Sequence, residues 1–459
     1  MTALEYPPPE RVDISIDSNL CPSVSSPRTL MRLLPIIICL SYLGLTIAFF
    51  VAGPWQYPVT NPFQLYSFLF LAHLALLIGY LTGAFRKEGQ YCGVWSVRQL
   101  VLWSALANLI LFFPTSQFRT GQAIPDVVYG LRDPGGAYAL SQVLRDTGEP
   151  LIEYARILSG PLLGPLLPLT VFYWPRLTRT LRIVGAVGIV AAVILFISMG
   201  TNNVIANTVL LVPSLVISSQ FAGVMKLTRR GIACVIAAGA CGLLVFLSFF
   251  GTAVSSRTGN PIEARYFSAA KISPNYDNFM MSVLGDQSTS TLLGLDIYLT
   301  QGYYALSLSL KEPFVPMFGA GNSMFVSRQV ARITGDDQIE RMSYPARIEK
   351  YGWDAQGLWS SIYPWIASDV SFPGTLLVVF IIGRLFALSW LDTLNGANPF
   401  AVVMFSQFLI MLFYFPANNQ LLQSGEGFAA FWVTLALWQR TRRSVTPSKG
   451  PQRVHELSY

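Results

Sequence analysis

The chain gathers its apolar residues into long blocks, and that restricts it to a bilayer. A helix needs roughly 20 apolar residues to cross about 30 Å of hydrocarbon. Ten such blocks lie at about 33–53, 63–85, 97–114, 156–174, 183–199, 204–224, 232–253, 373–391, 399–416 and 426–438, the last being short. Only 12% of residues are charged, about half the roughly 25% of soluble domains. The expected fold is therefore all-α: a polytopic membrane protein of about ten transmembrane helices.

The basic residues orient the helices. Short connections hold Arg86 and Lys87, then Arg176, Arg179 and Arg182, then Lys226, Arg229 and Arg230, and the tail adds Arg440, Arg442 and Arg443. The turns at 200–203 and 417–425 hold no Lys or Arg. Lys and Arg stay on the cytoplasmic side of short loops, which predicts both termini in the cytoplasm. The net charge of +7 is thus a topological signal, and nucleic-acid binding is rejected. Residues 1–32, rich in Pro and Ser and holding Glu5, Glu10 and Asp13, predict a disordered cytoplasmic tail, not a cleaved signal peptide. The transmembrane domain is placed at 33–438, and 439–459 forms a second cytoplasmic tail.

Two long connections fall on the outer side, at 115–155 and about 254–372. The second far exceeds an ordinary connection, and loops of that size are usually functional or disordered. Its composition argues against disorder, with Trp353, Trp359, Trp365 and many tyrosines. It is expected to fold onto the outer membrane face. No cysteine lies in either long loop, and the two histidines of the chain, His73 and His455, lie outside both. A disulfide framework, a serine–histidine device and a three-histidine zinc site are therefore excluded there. No Walker or dinucleotide motif is present, so no cofactor and no metal is expected.

The outer arginines and lysines break the pattern of the short loops. Nine basic residues of the longer loop roughly balance its eleven acidic ones, so most read as solvated side chains. Arg156 and Arg257 stand at outer ends of spans, where a headgroup-level anion would sit, and the planar guanidinium suits bidentate phosphate contact. Ordinary headgroup anchoring explains them equally well.

The segment 291–310 is neither a clean span nor a loop. At 100° per residue, Leu292, Leu295, Leu299, Leu306 and Leu310 share one face, and Leu293, Ile297, Tyr304 and Leu308 another. Between them runs a polar line of Asp296, Thr300, Tyr303 and Ser307. That pattern predicts a helix at the membrane interface lining a cavity. A carboxylate at membrane depth is costly and points to function, against the plainer reading of a packed helix whose Asp296 bonds a neighbour. Asp369 and Ser371, ahead of Pro373, read as helix-start residues. Gly319, Gly321 and Asn322 read as a turn whose backbone N–H groups could meet an anion.

Three stretches together resemble a known family. Tyr298-Leu299-Thr300-Gln301-Gly302-Tyr303-Tyr304, then Pro313-Phe314 with Gly319-Ala320-Gly321-Asn322-Ser323, then Gly357-Leu358-Trp359 with Ala367-Ser368-Asp369-Val370-Ser371-Phe372-Pro373-Gly374, are similar to bacterial oligosaccharide repeat-unit polymerases of the Wzy (O-antigen polymerase) type. The likeness covers roughly 290–375; elsewhere only the topology matches. Related O-antigen ligases usually carry a histidine in the large periplasmic loop, which this chain lacks.

The resemblance implies a GT-C-like membrane glycosyltransferase of the bacterial inner membrane. It would transfer a glycan from undecaprenyl diphosphate to another lipid-linked repeat unit, with membrane lipids, a chain-length regulator and a flippase as further partners. A leaving diphosphate needs cations, and an acceptor hydroxyl needs a base. By chemistry and loop position, Arg257, Arg265 and Arg347 are expected at the diphosphate and Asp296 or Asp354 as base. Gln301, Tyr303, Tyr304, Asn322 and Trp359 are expected to shape the sugar site. A ligase with another acceptor, or a transporter, are the competing classes; a transporter would normally show paired repeats, and none is found.

Overall fold

The computed structural model describes residues 29–148, 150–258, 272–284, 286–354 and 357–444. The tails 1–28 and 445–459 lie outside the described residues. Among the described residues the chain is mostly helical, with one short ladder in which β1 (Gly89–Tyr91) pairs antiparallel with β2 (Arg442–Ser444) and an isolated bridge between Trp55 and Pro274.

Among the described residues eight helices are long and apolar enough to span a bilayer: Thr29–Ala52, Pro62–Ala84, Val97–Thr120, Leu151–Phe172, Arg179–Ser198, Asn203–Phe221, Arg229–Phe250 and Ile362–Asn395. The last two apolar blocks also form helices, but shorter ones, Pro399–Phe413 with 15 residues and Gly425–Thr441 with 17. At 1.5 Å per residue these measure roughly 22 and 26 Å, less than a full hydrocarbon core.

The helices are labelled along the chain: α1 (Thr29–Ala52), α2 (Pro62–Ala84), α3 (Val97–Thr120), α4 (Val127–Arg132), α5 (Pro134–Thr147), α6 (Leu151–Leu163), α7 (Leu166–Phe172), α8 (Arg179–Ser198), α9 (Asn203–Phe221) and α10 (Arg229–Thr258). There follow α11 (Phe279–Leu284), α12 (Asp286–Ser309), α13 (Met324–Thr334), α14 (Gln338–Arg341), α15 (Tyr344–Arg347), α16 (Ile362–Asn395), α17 (Pro399–Phe413), α18 (Gln420–Gln423) and α19 (Gly425–Thr441). The end of the bundle where α1 stops and α2 starts is called the crown, and the end carrying β1 and β2 the base.

α17 is the core. Residues Pro399 to Phe408 are all buried, the signature of a helix apolar on every side and enclosed by others. The closest pairing is α2 against α16. A Cβ on Gly79 would lie 2.0 Å from the Phe380 carbonyl oxygen, and one on Gly83 2.7 Å from that of Arg384. Reciprocally, a Cβ on Gly383 would lie 2.3 Å from the Leu76 oxygen. Small residues let two backbones touch in a medium where hydrophobicity gives no drive for association. Gly79 and Gly83 form a G-x-x-x-G pair on α2, a signal present in the sequence but missed in reading it.

At the base, the buried Asp392 carboxylate ties three segments together. Its Oδ1 accepts from Gly89 N–H at 2.7 Å, and its Oδ2 from Trp438 Nε1 at 2.9 Å and Arg442 Nε at 2.6 Å. A buried charge needs such full pairing.

The long connection is shorter than its expected 254–372 span. α10 continues to Thr258, and α16 already begins at Ile362. α16 is broken at Ser371, where φ is 65° and ψ 169°. Its first part, Ile362–Ser368, is wholly buried at the crown. The stretch after the break is the span anticipated at 373–391. Pro373 has no N–H and crowds the residue before it, so a break near this point is expected. Ser371 supplies it at a conformational cost of about 1–3 kcal/mol.

Candidate functional site

The crown is organised by α12, which lies across the ends of α1, α2, α16 and α17. Gly302 presses it onto the bundle: a Cβ there would meet the Pro416 carbonyl oxygen at 2.0 Å and Ser361 N at 2.7 Å. The polar line expected to face a cavity is buried instead, with Thr300, Tyr303 and Ser307 fully enclosed. Thr300 Oγ1 bonds the Tyr57 hydroxyl at 2.7 Å, and the Tyr303 hydroxyl bonds Thr46 Oγ1 at 2.8 Å. Asn61 Nδ2 donates to Ser307 O at 3.0 Å, and Trp55 Nε1 to Leu293 O at 2.9 Å. The line is the seam by which α12 docks on α1 and the α1–α2 connection. Tyr303 is part of that seam.

Asp296 is the exception within it. Only 4% of the residue is exposed, and neither carboxylate oxygen meets a hydrogen-bond donor among the described residues. The carboxylate packs against Gly53, where an added Cβ would fall 2.9 Å from Oδ2 and 3.0 Å from Oδ1. Gly53 follows the last residue of α1, at the end of the helix dipole that disfavours a negative charge. Burial pushes the Asp296 carboxyl up to about 7, because the ionised form loses its hydration. The plainer reading, an Asp296 bonded to a neighbour, finds no such neighbour among the described residues.

Beside Gly53 opens a cavity of about 480 Å³, lined in part by Phe50, Trp55, Gln56, Tyr57, Tyr66, Asn275 and Asn278. The returning chain builds its wall: Gln56 N–H donates to Ser273 O at 3.2 Å and Asn275 N–H to Pro54 O at 2.6 Å. Asn278 Nδ2 reaches both Ala52 O at 3.0 Å and Gly53 O at 3.2 Å, which satisfies carbonyls that the end of α1 leaves open.

On another side of α12, the family-like stretches converge. Gln301 Oε1 accepts from Trp359 N–H at 3.2 Å, and Trp359 O accepts from Trp353 Nε1 at 3.2 Å. The Tyr304 and Trp353 rings meet edge to face at 5.4 Å, and Tyr298 meets Trp359 at 6.1 Å. Trp359 is 39% exposed, which leaves ring surface open at the crown. Gln301, Tyr304 and Trp359 are thus brought together.

Asn322 belongs to a separate cluster. The turn it closes does cradle an anion, and that anion is Asp369. The carboxylate accepts from the N–H of Gly319 at 2.8 Å, Gly321 at 2.8 Å and Asn322 at 2.9 Å, and from Asn322 Nδ2 at 2.7 Å. Asp369 therefore anchors a turn 47 residues away and is not a helix-start cap. The adjoining Ser323 hydroxyl donates to Leu422 O, and Asn419 Nδ2 donates to Asn322 O at 2.8 Å.

Of the remaining expected residues, Arg347 and Asp354 stand apart from these clusters. Arg347 donates to Pro313 O at 2.8 Å and lies 4.6 Å from the Tyr344 ring centre, while its Nε and Nη2 find no partner among the described residues. Pro313 lies beyond the C-terminal end of α12 and Asp296 in its N-terminal half, so the two ends are separated by about 20 Å of helix. Asp354 is exposed, and its carbonyl accepts from Leu358 N–H at 2.7 Å. Arg265 and the side chain of Arg257 lie outside the described residues. Arg257 falls in the last turn of α10, the helix that meets α12 through Phe250 and Tyr298 at 5.6 Å. Arg156 is taken by Glu426, at 2.6 Å, and by Thr115.

No family model, curated protein or solved structure matches the chain. Sequence reading missed the cavity residues, Trp55, Gln56, Tyr57, Asn275 and Asn278. For Trp55, Gln56 and Tyr57 the signal was the aromatic and amide content of the short 53–61 connection; Asn275 and Asn278 carried none.

Proposed function

We propose that the chain polymerises oligosaccharide repeat units carried on undecaprenyl diphosphate, at the periplasmic face of the bacterial inner membrane, with both termini in the cytoplasm. The observation that carries this reading is the convergence at the crown. The stretches resembling repeat-unit polymerases are far apart in sequence, yet Gln301 bonds Trp359 and Asn322 bonds Asp369 there. A buried carboxylate, Asp296, without a partner among the described residues stands on the same helix as Gln301.

The acceptor hydroxyl oxygen attacks the anomeric carbon of the donor glycan. The bond from that carbon to the diphosphate oxygen breaks, and the carrier diphosphate departs with the electron pair. Asp296 takes the hydroxyl proton; a carboxyl near 7 is matched to that work at neutral pH. Of the two carboxylates expected as base, Asp296 is preferred over the exposed Asp354. Arg257, on the helix that contacts α12, is assigned to the leaving diphosphate. Arg347, on α15, bonds Pro313 beyond the C-terminal end of α12, about 20 Å of helix from Asp296, and is not assigned to the diphosphate. The exposed ring of Trp359, braced by Tyr298, offers an apolar platform to a sugar face.

Deleting the gene tests the reading. Surface glycans in the deletion strain should carry a single repeat unit, and the chain supplied on a plasmid should restore long polymers. Unchanged polymer length would reject the reading, and complete loss of transferred glycan would point to a ligase.

A further inference from the structure

The cavity at the end of α1 is not used by the Gln301–Trp359 cluster, and its lining has a definite chemical character. Phe50, Trp55, Tyr57 and Tyr66 supply aromatic rings, while Gln56, Asn275 and Asn278 supply neutral carboxamides. Among the described residues, no Lys, Arg, Asp or Glu lines it. At about 480 Å³ the space falls within the roughly 300–1,000 Å³ of small-molecule sites. Rings that cover an apolar face, with amides that both donate and accept, recognise a neutral polyhydroxylated ring. Among the described lining residues a diphosphate would find no cation.

Two further observations favour a ligand. The wall is built from two segments remote in sequence, 53–57 and 273–278, held by the backbone bonds Gln56 to Ser273 and Asn275 to Pro54. Asp296, nine-tenths buried and without a partner among the described residues, lies against Gly53, which is itself part of the wall. Trp55 and Asn278 are committed to holding the fold, through Leu293 O and through Ala52 O and Gly53 O. Gln56 and Tyr66 are exposed, and their side chains make no hydrogen bond to the described residues.

We infer that this cavity binds a neutral sugar ring of the acceptor glycan, with Gln56 and Tyr66 as contact residues, so that its hydroxyl is presented beside Gly53 and Asp296. The inference rests on the polymerase reading for the word acceptor, but the sugar site itself does not.

The test uses the full chain, purified in detergent, and the strain's own single-repeat oligosaccharide freed of its lipid and labelled with tritium. The wild type should bind it saturably. Gln56→Ala with Tyr66→Ala should weaken binding about tenfold or more, the equivalent of one good hydrogen bond or stacked ring lost. In cells the same pair should shorten the polymers while membrane levels stay at the wild-type value. Gln56→Trp, which fills the cavity, should do the same. Absence of saturable binding to the wild type overturns the inference, as does equal binding and equal polymer length in all three proteins. If gene deletion leaves polymer length unchanged, the polymerase reading falls by itself, and the binding arm still decides the sugar site.

Discussion

Asn322 meets Asp369 twice, through its backbone N–H at 2.9 Å and through Nδ2 at 2.7 Å. Together with Gly319 and Gly321 it encloses one carboxylate in four hydrogen bonds. The turn that precedes α13 is thereby clamped to the segment just ahead of the break in α16. Hydrogen bonds to a charged group contribute about 1.5–3 kcal/mol each when the partner is removed, and less when they share one acceptor. Asp369→Ala should therefore lower stability by about 2–4 kcal/mol, and Asn322→Ala by about 1–2 kcal/mol. Thermal unfolding of the detergent-purified proteins measures both, and the double variant should cost less than the sum.

Asp296 sets a pH dependence whose sign is fixed by its environment. Its folded-state carboxyl is raised to about 7 from an ordinary 3.8. The neutral form therefore contributes stability that is full below about pH 3.8 and is lost as pH rises through about 7. A shift of that size corresponds to up to about 4 kcal/mol. Asp296→Asn removes the titration, so at pH 8 the variant should melt above the wild type, with the gap closing toward pH 5. In the proposed reaction Asp296 acts as a base only when ionised, so that reading predicts polymerisation rising between pH 6 and 8. The asparagine variant should lose activity by about a hundredfold or more while remaining folded.

Asp392 at the base should behave in the opposite way, as a purely structural group. It is fully paired by Gly89, Trp438 and Arg442. Removing one partner of a buried ion pair strands the other, at about 3–5 kcal/mol. Asp392→Ala should lower the amount of protein in the membrane and its melting temperature, and whatever protein folds should retain the catalytic rate per molecule. A normal melting temperature would show that the cluster carries no stability.

Gly79→Ala tests the α2–α16 contact. The added methyl would stand 2.0 Å from a backbone oxygen of Phe380, which cannot swing aside as a side chain can. Overpacking of this kind costs about 1–3 kcal/mol. Gly44, with nothing within 4 Å of its Cβ position, is the control: Gly44→Ala should be neutral or slightly stabilising.

The spans were readable because a bilayer demands about 20 apolar residues in succession, and no distant partner alters that demand. The start of α16 was not readable. Ser-Asp-Val-Ser ahead of Pro373 carries helix-start chemistry, yet Ile362–Ser368 is already helical and buried, because the packed crown overrides a local signal. The stripe through Asp296 and Tyr303 followed from the 100° step, but its direction did not. Whether it faced water or Thr46 and Tyr57 depended on contacts more than 200 residues away. The Asp369–Asn322 clamp and the cavity wall joining 53–57 to 273–278 are equally non-local, and no periodicity announces them.

Reconstitution tests the polymerase claim most directly. The purified chain, in liposomes containing a single repeat unit on undecaprenyl diphosphate, should release one carrier diphosphate for every unit added and form chains of two or more repeats. The Asp296→Asn protein should leave the substrate intact. Carrier release without elongation, or elongation undiminished by Asp296→Asn, would contradict polymerisation through this carboxylate.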